Sequence, residues 1–139
     1  MEIKFSEVDT AFSFVSFGEQ YEHYAYLNQK TGEIYYVSEL GDSDEDIPED
    51  IYENEDYIEI PHKDDLNLGR NLVFSFVGSR LPEDLDKVQN YFRKKGAYSR
   101  FKDLLERKEL LDEWHQFENG QIEKELRNWC KINKIKIAG

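Results

Sequence analysis

Residues Glu22-His23-Tyr24-Ala25-Tyr26-Leu27 and Glu33-Ile34-Tyr35-Tyr36-Val37 are two β-prone runs on either side of the polar stretch Asn28-Gln29-Lys30-Thr31-Gly32. Aromatic and β-branched side chains fit a pleated surface, and a polar turn ending in Gly lets the chain fold back, so residues 22–37 read as a hairpin. Tyr57-Ile58-Glu59-Ile60 alternates apolar and polar residues and stops at Pro61. That period of two marks a half-buried strand, expected to join the hairpin as a third antiparallel strand. Upstream, Ser6-Glu7-Val8-Asp9 has the form of a capping box, and Val8, Ala11, Phe12 and Val15 follow helical spacing. The expectation is a short amphipathic helix over 7–17, stopped at Gly18.

Downstream of His62 the pattern turns helical. Asp64 or Asp65 can cap a helix running toward Gly78 that carries Leu66, Leu72, Val73, Phe76 and Val77. Leu81-Pro82-Glu83-Asp84 opens another, with Pro in its first turn and acids at the positive end of the dipole; Leu85, Val88 and Phe92 line it and Gly96 can close it. A third helix spans Ala97 to Arg107 with Phe101, Leu104 and Leu105 inward, and a fourth runs from Glu109 to about Asn133. Leu111, Ile122, Leu126 and Trp129 keep one angular phase across Asn119-Gly120, with Trp114 nearby, so the last helix is expected to be continuous, with both tryptophans mostly buried. The fold class is α+β: an N-terminal helix and a small three-stranded antiparallel sheet, then a helical C-terminal half.

The length of 139 residues suits a single domain, and 9 Phe, 9 Tyr and 2 Trp supply core area that a 39% hydrophobic content would otherwise lack. No apolar run reaches membrane-spanning length, and Met1-Glu2-Ile3-Lys4-Phe5 does not begin a signal peptide, so a soluble cytoplasmic protein without a membrane partner is expected. Cys130 is the single cysteine, which excludes an internal disulfide and a cysteine-based zinc cluster. The net charge of -12 is unevenly spread: residues 1–87 carry a net of -16 and residues 88–139 a net of +4. Ten carboxylates and no Lys or Arg occur from Asp42 to Glu59, so part of this stretch, about 40–55, should be a solvated loop. It solubilises the chain, or it presents a surface to a basic partner.

Lys95-Gly96-Ala97-Tyr98-Ser99-Arg100-Phe101-Lys102-Asp103 resembles the GAFxRFKD signature of the bacterial uncharacterised protein family UPF0158. Tyr26-Leu27-Asn28 before Thr31-Gly32-Glu33-Ile34 is similar to that family's strand-turn-strand segment, Tyr57-Ile58-Glu59-Ile60-Pro61 to its short strand ending in Pro, and Trp114 and Trp129 to its two tryptophan positions. Asn28 departs from the pattern, which tends to have Asp there. The resemblance runs from about residue 7 to 135 and implies a small α/β-containing domain, with no activity attached.

The basic segment Arg93-Lys94-Lys95-Gly96-Ala97-Tyr98-Ser99-Arg100-Phe101-Lys102 is a candidate contact site. Free amides at a helix N-terminus favour an anion, and Arg93, Lys94, Lys95, Arg100 and Lys102 could add contacts to phosphate or a nucleic-acid backbone, with Tyr98 for stacking. The alternative is structural: a tight turn at Gly96, Tyr98 and Phe101 in the core, and Arg100 paired with a carboxylate. Counted from Asp42, acids occupy calcium-loop positions 1, 3, 5, 9 and 12, but Ile47 stands where the loop needs Gly and Pro48 follows it, so no calcium site is assigned. His23, His62 and His115 are scattered without metal-ligand spacing and are expected at half-exposed positions, while Cys130 is expected in the core. No nucleophile elbow, zinc-helix or phosphate-loop motif is present, so no catalytic residue, metal or cofactor is nominated. The sequence therefore favours a non-catalytic interaction module for a basic protein partner or for self-association. The alternative is binding of phosphate or nucleic acid through residues 93–102, which the overall negative charge opposes.

Overall fold

The computed structural model describes residues 2–17, 21–38 and 47–138. Gly18, the expected helix stop, and Asp42, Asp44 and Asp46 of the calcium-loop pattern lie outside them. The chain divides into two compact units, one of Met1–Leu66 with Glu123–Gly139 and one of Asn67–Ile122.

The first unit holds β1 (Glu2–Lys4), α1 (Phe5–Ser16), β2 (His23–Asn28), β3 (Ile34–Ser38), β4 (Tyr57–Glu59) and, at its end, β5 (Lys136–Ala138). The expected hairpin and third strand are present: β2 is central, antiparallel to β3 and to β4, with Tyr26 opposite both Tyr35 and Glu59. The turn between β2 and β3 forms because the Asn28 side-chain oxygen accepts the N–H groups of Lys30 and Thr31, at 2.9 and 3.1 Å, and Gly32 takes a φ of 81°.

Helix α1 starts earlier than the capping box implies. Lys4 is held by its ladder partner Ala138, so the chain passes from strand to helix at Phe5 and Ser6 lies inside the helix, without acting as a cap. The parallel pair β1–β5 was not expected. It is three residues long, buries Ile3, and joins segments too far apart in sequence for local patterning to reveal. Val8, Ala11, Phe12 and Val15 form the buried stripe of α1, as their spacing predicts.

The second unit contains α2 (Arg70–Arg80), α3 (Leu85–Tyr91), α4 (Ala97–Arg107) and the first part of α5 (Leu111–Ile132). The helix expected from Asp64 or Asp65 is instead a 3-10 turn over Lys63–Leu66, interrupted at Asn67 with a φ of 58°, before α2 begins. The Asp65 carboxylate accepts the His62 N–H at 3.0 Å and caps only that short turn. Helix α3 ends at Tyr91, before Gly96, which takes a φ of 77° and serves as the N-cap residue of α4. Leu72, Val73, Phe76, Val77, Val88, Phe101, Leu104, Leu105 and Trp114 are buried. Trp114 meets Phe76 and Phe101 edge-on, with ring centroids 5.3 and 5.0 Å apart. Such pairs add roughly 0.5–1.5 kcal/mol each to the area they bury.

Helix α5 runs unbroken through Gly120, as the phase of its apolar stripe predicts. Trp114, Leu126 and Cys130 are buried and Trp129 is half-buried, so both tryptophans are mostly buried, as expected. Its neighbour Cys130 occupies the interior position one step round the helix. Trp114→Ala should therefore cost about 3–5 kcal/mol and Trp129→Ala distinctly less. Urea denaturation followed by circular dichroism measures both, and equal losses would contradict this placement.

Candidate interaction face

In β2 the period of two sorts side chains by face: His23, Ala25 and Leu27 are buried, while Tyr24, Tyr26 and Asn28 are half-buried on the opposite side. The pairing places Tyr35 of β3 and Glu59 of β4 beside Tyr26, and Tyr57 beside Asn28. Tyr24 and Tyr26 stack with centroids 6.4 Å apart and planes 14° from parallel, and Tyr35 meets Tyr57 across β2 at 6.0 Å. The outer face of the sheet is thus a surface of tyrosine rings.

The segment before β4 adds to it. Ile51 is only 3% exposed and anchors a bonded turn in which the Asp50 carbonyl accepts the N–H groups of Glu53 and Asn54. The Asn54 side chain donates to Asp50 at 3.0 Å and accepts the Asp56 N–H at 2.9 Å. This turn leaves Tyr52 69% exposed, with its ring perpendicular to that of Tyr26 at 5.6 Å. Tyr26, Tyr52, Tyr57, Glu53, Glu55 and Glu59 line a cavity of about 390 Å³. Lys30 reaches Asp56 at 3.3 Å, but among the described residues no hydrogen bond or ion pair engages the carboxylates of Glu53, Glu55 or Glu59. Partial desolvation at the cavity, and secondly the charge of Asp65, raise the carboxyl of the otherwise exposed Glu59 above its ordinary value.

Glu59 also lines a second cavity, of about 320 Å³, with Tyr21, His23, Tyr24, His62 and Asp65. Here the histidine expectation is corrected: His23 and His62 are 8% and 3% exposed, and only His115 is half-buried as expected. His23 falls on the inner side of β2 by alternation, its ring 5.1 Å from that of Phe14. His62 Nδ1 accepts the Asp64 N–H at 3.0 Å, which puts the ring proton on Nε2. A ring held in that tautomer has no nitrogen lone pair left for a metal. The cavity's described lining also holds no Ser, Thr or Cys that could act as a nucleophile. Among the described residues no three His, Cys, Asp or Glu side chains are grouped to hold a metal ion, and no helix is long and apolar enough to cross a membrane.

The basic segment lies elsewhere, in the turn after α3 and the first turns of α4. Arg93, Lys94, Lys95, Arg100 and Lys102 are exposed and make no ion pair among the described residues. Among the described residues Arg100 has no carboxylate partner; its Nη1 donates to the Lys95 carbonyl at 2.7 Å and closes the turn around Gly96. Tyr98 is 37% exposed and packs edge-on against Phe92 at 5.0 Å, while Phe101 is buried. The sequence thus located both charged regions. The part of Tyr52 was not legible, because its approach to Tyr26 depends on the turn built around Ile51. Comparison with protein-family models, curated proteins and solved structures gives no match.

A carboxyl whose folded value is raised contributes stability at low pH that is lost as pH rises through that value. Glu59→Gln removes this loss. The variant should melt above the unmodified protein at pH 7, and the gap should close as pH falls through the raised value toward the ordinary 4.5. Thermal melts across that range check the sign, and a lower melting temperature for the variant at pH 7 would contradict it.

Proposed function

We propose that this chain is a non-catalytic interaction module that docks a basic segment of a partner protein on the tyrosine and carboxylate face of its three-stranded sheet. The observation that carries this reading is the set of three carboxylates, Glu53, Glu55 and Glu59, that have no cation partner among the described residues and surround exposed and half-buried tyrosine rings. An acidic stretch that only solubilises the chain needs no aromatic wall around it. Tyrosines offer apolar area at low conformational cost, and carboxylates near them steer and orient a cationic partner. A cytoplasmic setting, with Cys130 reduced, and the likeness of residues 95–103 to the UPF0158 signature belong to this reading and add no chemistry to it.

A second reading has its own observation: five exposed cations, without ion-pair partners among the described residues, gather around the first turns of α4, which suits a phosphate or a nucleic-acid backbone. The net charge of -12 opposes it at long range. The same cations would let a second copy of the chain serve as the basic partner.

Titration calorimetry with a lysine-rich dodecapeptide tests the first reading. Binding should weaken about tenfold between roughly 50 and 300 mM salt. The double variant Glu53→Lys/Glu55→Lys should abolish it, while Glu118→Lys/Glu125→Lys, an equal change of charge elsewhere, should leave most of it. Equal losses in the two variants would reduce the effect to net charge and overturn the docking face, as would the absence of binding.

A further inference from the structure

The cavity beside Tyr52 has a chemistry more specific than negative charge. Its walls are the rings of Tyr26, Tyr52 and Tyr57, with those of Tyr26 and Tyr52 perpendicular at 5.6 Å. Its charged groups are the three carboxylates, all acceptors when ionised; the Asn54 amide that also lines it is bonded within its own turn, to the Asp50 carboxylate and the Asp56 N–H. An occupant must therefore have a flat or compact cationic group that lies against a ring and must bring N–H donors for more than one carboxylate.

Three cationic groups can be compared. A quaternary ammonium satisfies the rings but brings no N–H, so the carboxylates would lose water and gain nothing directional. A primary ammonium brings donors but is compact and strongly hydrated, which suits a ring wall less well. A guanidinium is planar and weakly hydrated, stacks on aromatic faces, and presents five donors in a fork that fits carboxylates pairwise. The volume of about 390 Å³ is ample for one such side chain.

We infer that this cavity is a receptor for a single arginine side chain of the basic partner segment, with the guanidinium against Tyr26 and Tyr52 and donating to Glu53, Glu55 or Glu59. The inference rests on the docking face proposed above and adds the residue type it selects. The position of Glu59 agrees with it: the partial desolvation and the like charge of Asp65 that disfavour its ionised form would be offset by a bound cation. The exposed ring of Tyr52 forms the wall that substitution can remove with least harm to the core.

The test uses the full chain and four heptapeptides that share two flanking lysines and differ at the centre: arginine, lysine, trimethyl-lysine or citrulline, the last an uncharged analogue of arginine. The flanking lysines report the face as a whole, and the central residue reports the cavity. The arginine peptide should bind about tenfold tighter than the citrulline peptide and tighter than both lysine forms. Tyr52→Ala should remove that preference while leaving the salt-sensitive binding common to all four, and Tyr52→Phe should keep the preference within about threefold. Circular dichroism shows whether each variant is folded.

Four peptides of equal, salt-sensitive affinity would overturn the arginine receptor and leave the docking face intact. Trimethyl-lysine binding tightest would overturn the guanidinium assignment, and an arginine preference that survives Tyr52→Ala would overturn the site. No binding of any peptide would sink the docking face together with the receptor.

Discussion

Strand β2 pairs on both edges, with β3 and with β4, and that position constrains the rest of the first unit. Because successive side chains of a strand point to opposite faces, the choice of Ala25 and Leu27 as buried residues commits Tyr24 and Tyr26 to the other side. A register slip of one residue would bury two tyrosines and expose the core. The Asn28 turn and the Ile60 N–H bond to the Ala25 carbonyl, at 2.8 Å, hold β2 against its neighbours in the observed register. The tyrosine face therefore follows from folding, and Tyr52, Glu53 and Glu55 are then added to it by the turn that Ile51 anchors.

The same face concentrates the charge problem of the chain. Carboxylates placed close together repel, and neighbours of low polarity strengthen that repulsion. Within the described residues Lys30 relieves Asp56, while Glu53, Glu55 and Glu59 have no such partner. Stability alone would favour replacing one of them. In the docking reading proposed above, the missing charge comes from another molecule, whose cation would face the rings beside them.

Elements governed by local signals were legible in the sequence. The hairpin, the third strand, α4 from Ala97 to Arg107 and the unbroken α5 each follow from periodicity or turn chemistry within a short window. Other features depend on contacts the sequence does not display. The β1–β5 pair joins the two ends of the described chain. His23 and His62 are buried because of a strand face and a backbone bond, neither of which spacing between histidines reveals. For the candidate site, the acidic run was visible as charge, but its aromatic wall required the register of β2 and the turn before β4.

The central claim is that recognition occurs on this face of the sheet, at the cavity beside Tyr52. Backbone amide shifts in a heteronuclear NMR titration with an arginine-containing basic peptide test it most directly. The account predicts saturable shifts confined to β2, β4 and residues 51–59, with the amides of α4 unmoved. Shifts centred on residues 93–102, or scattered over the molecule without saturation, would contradict it.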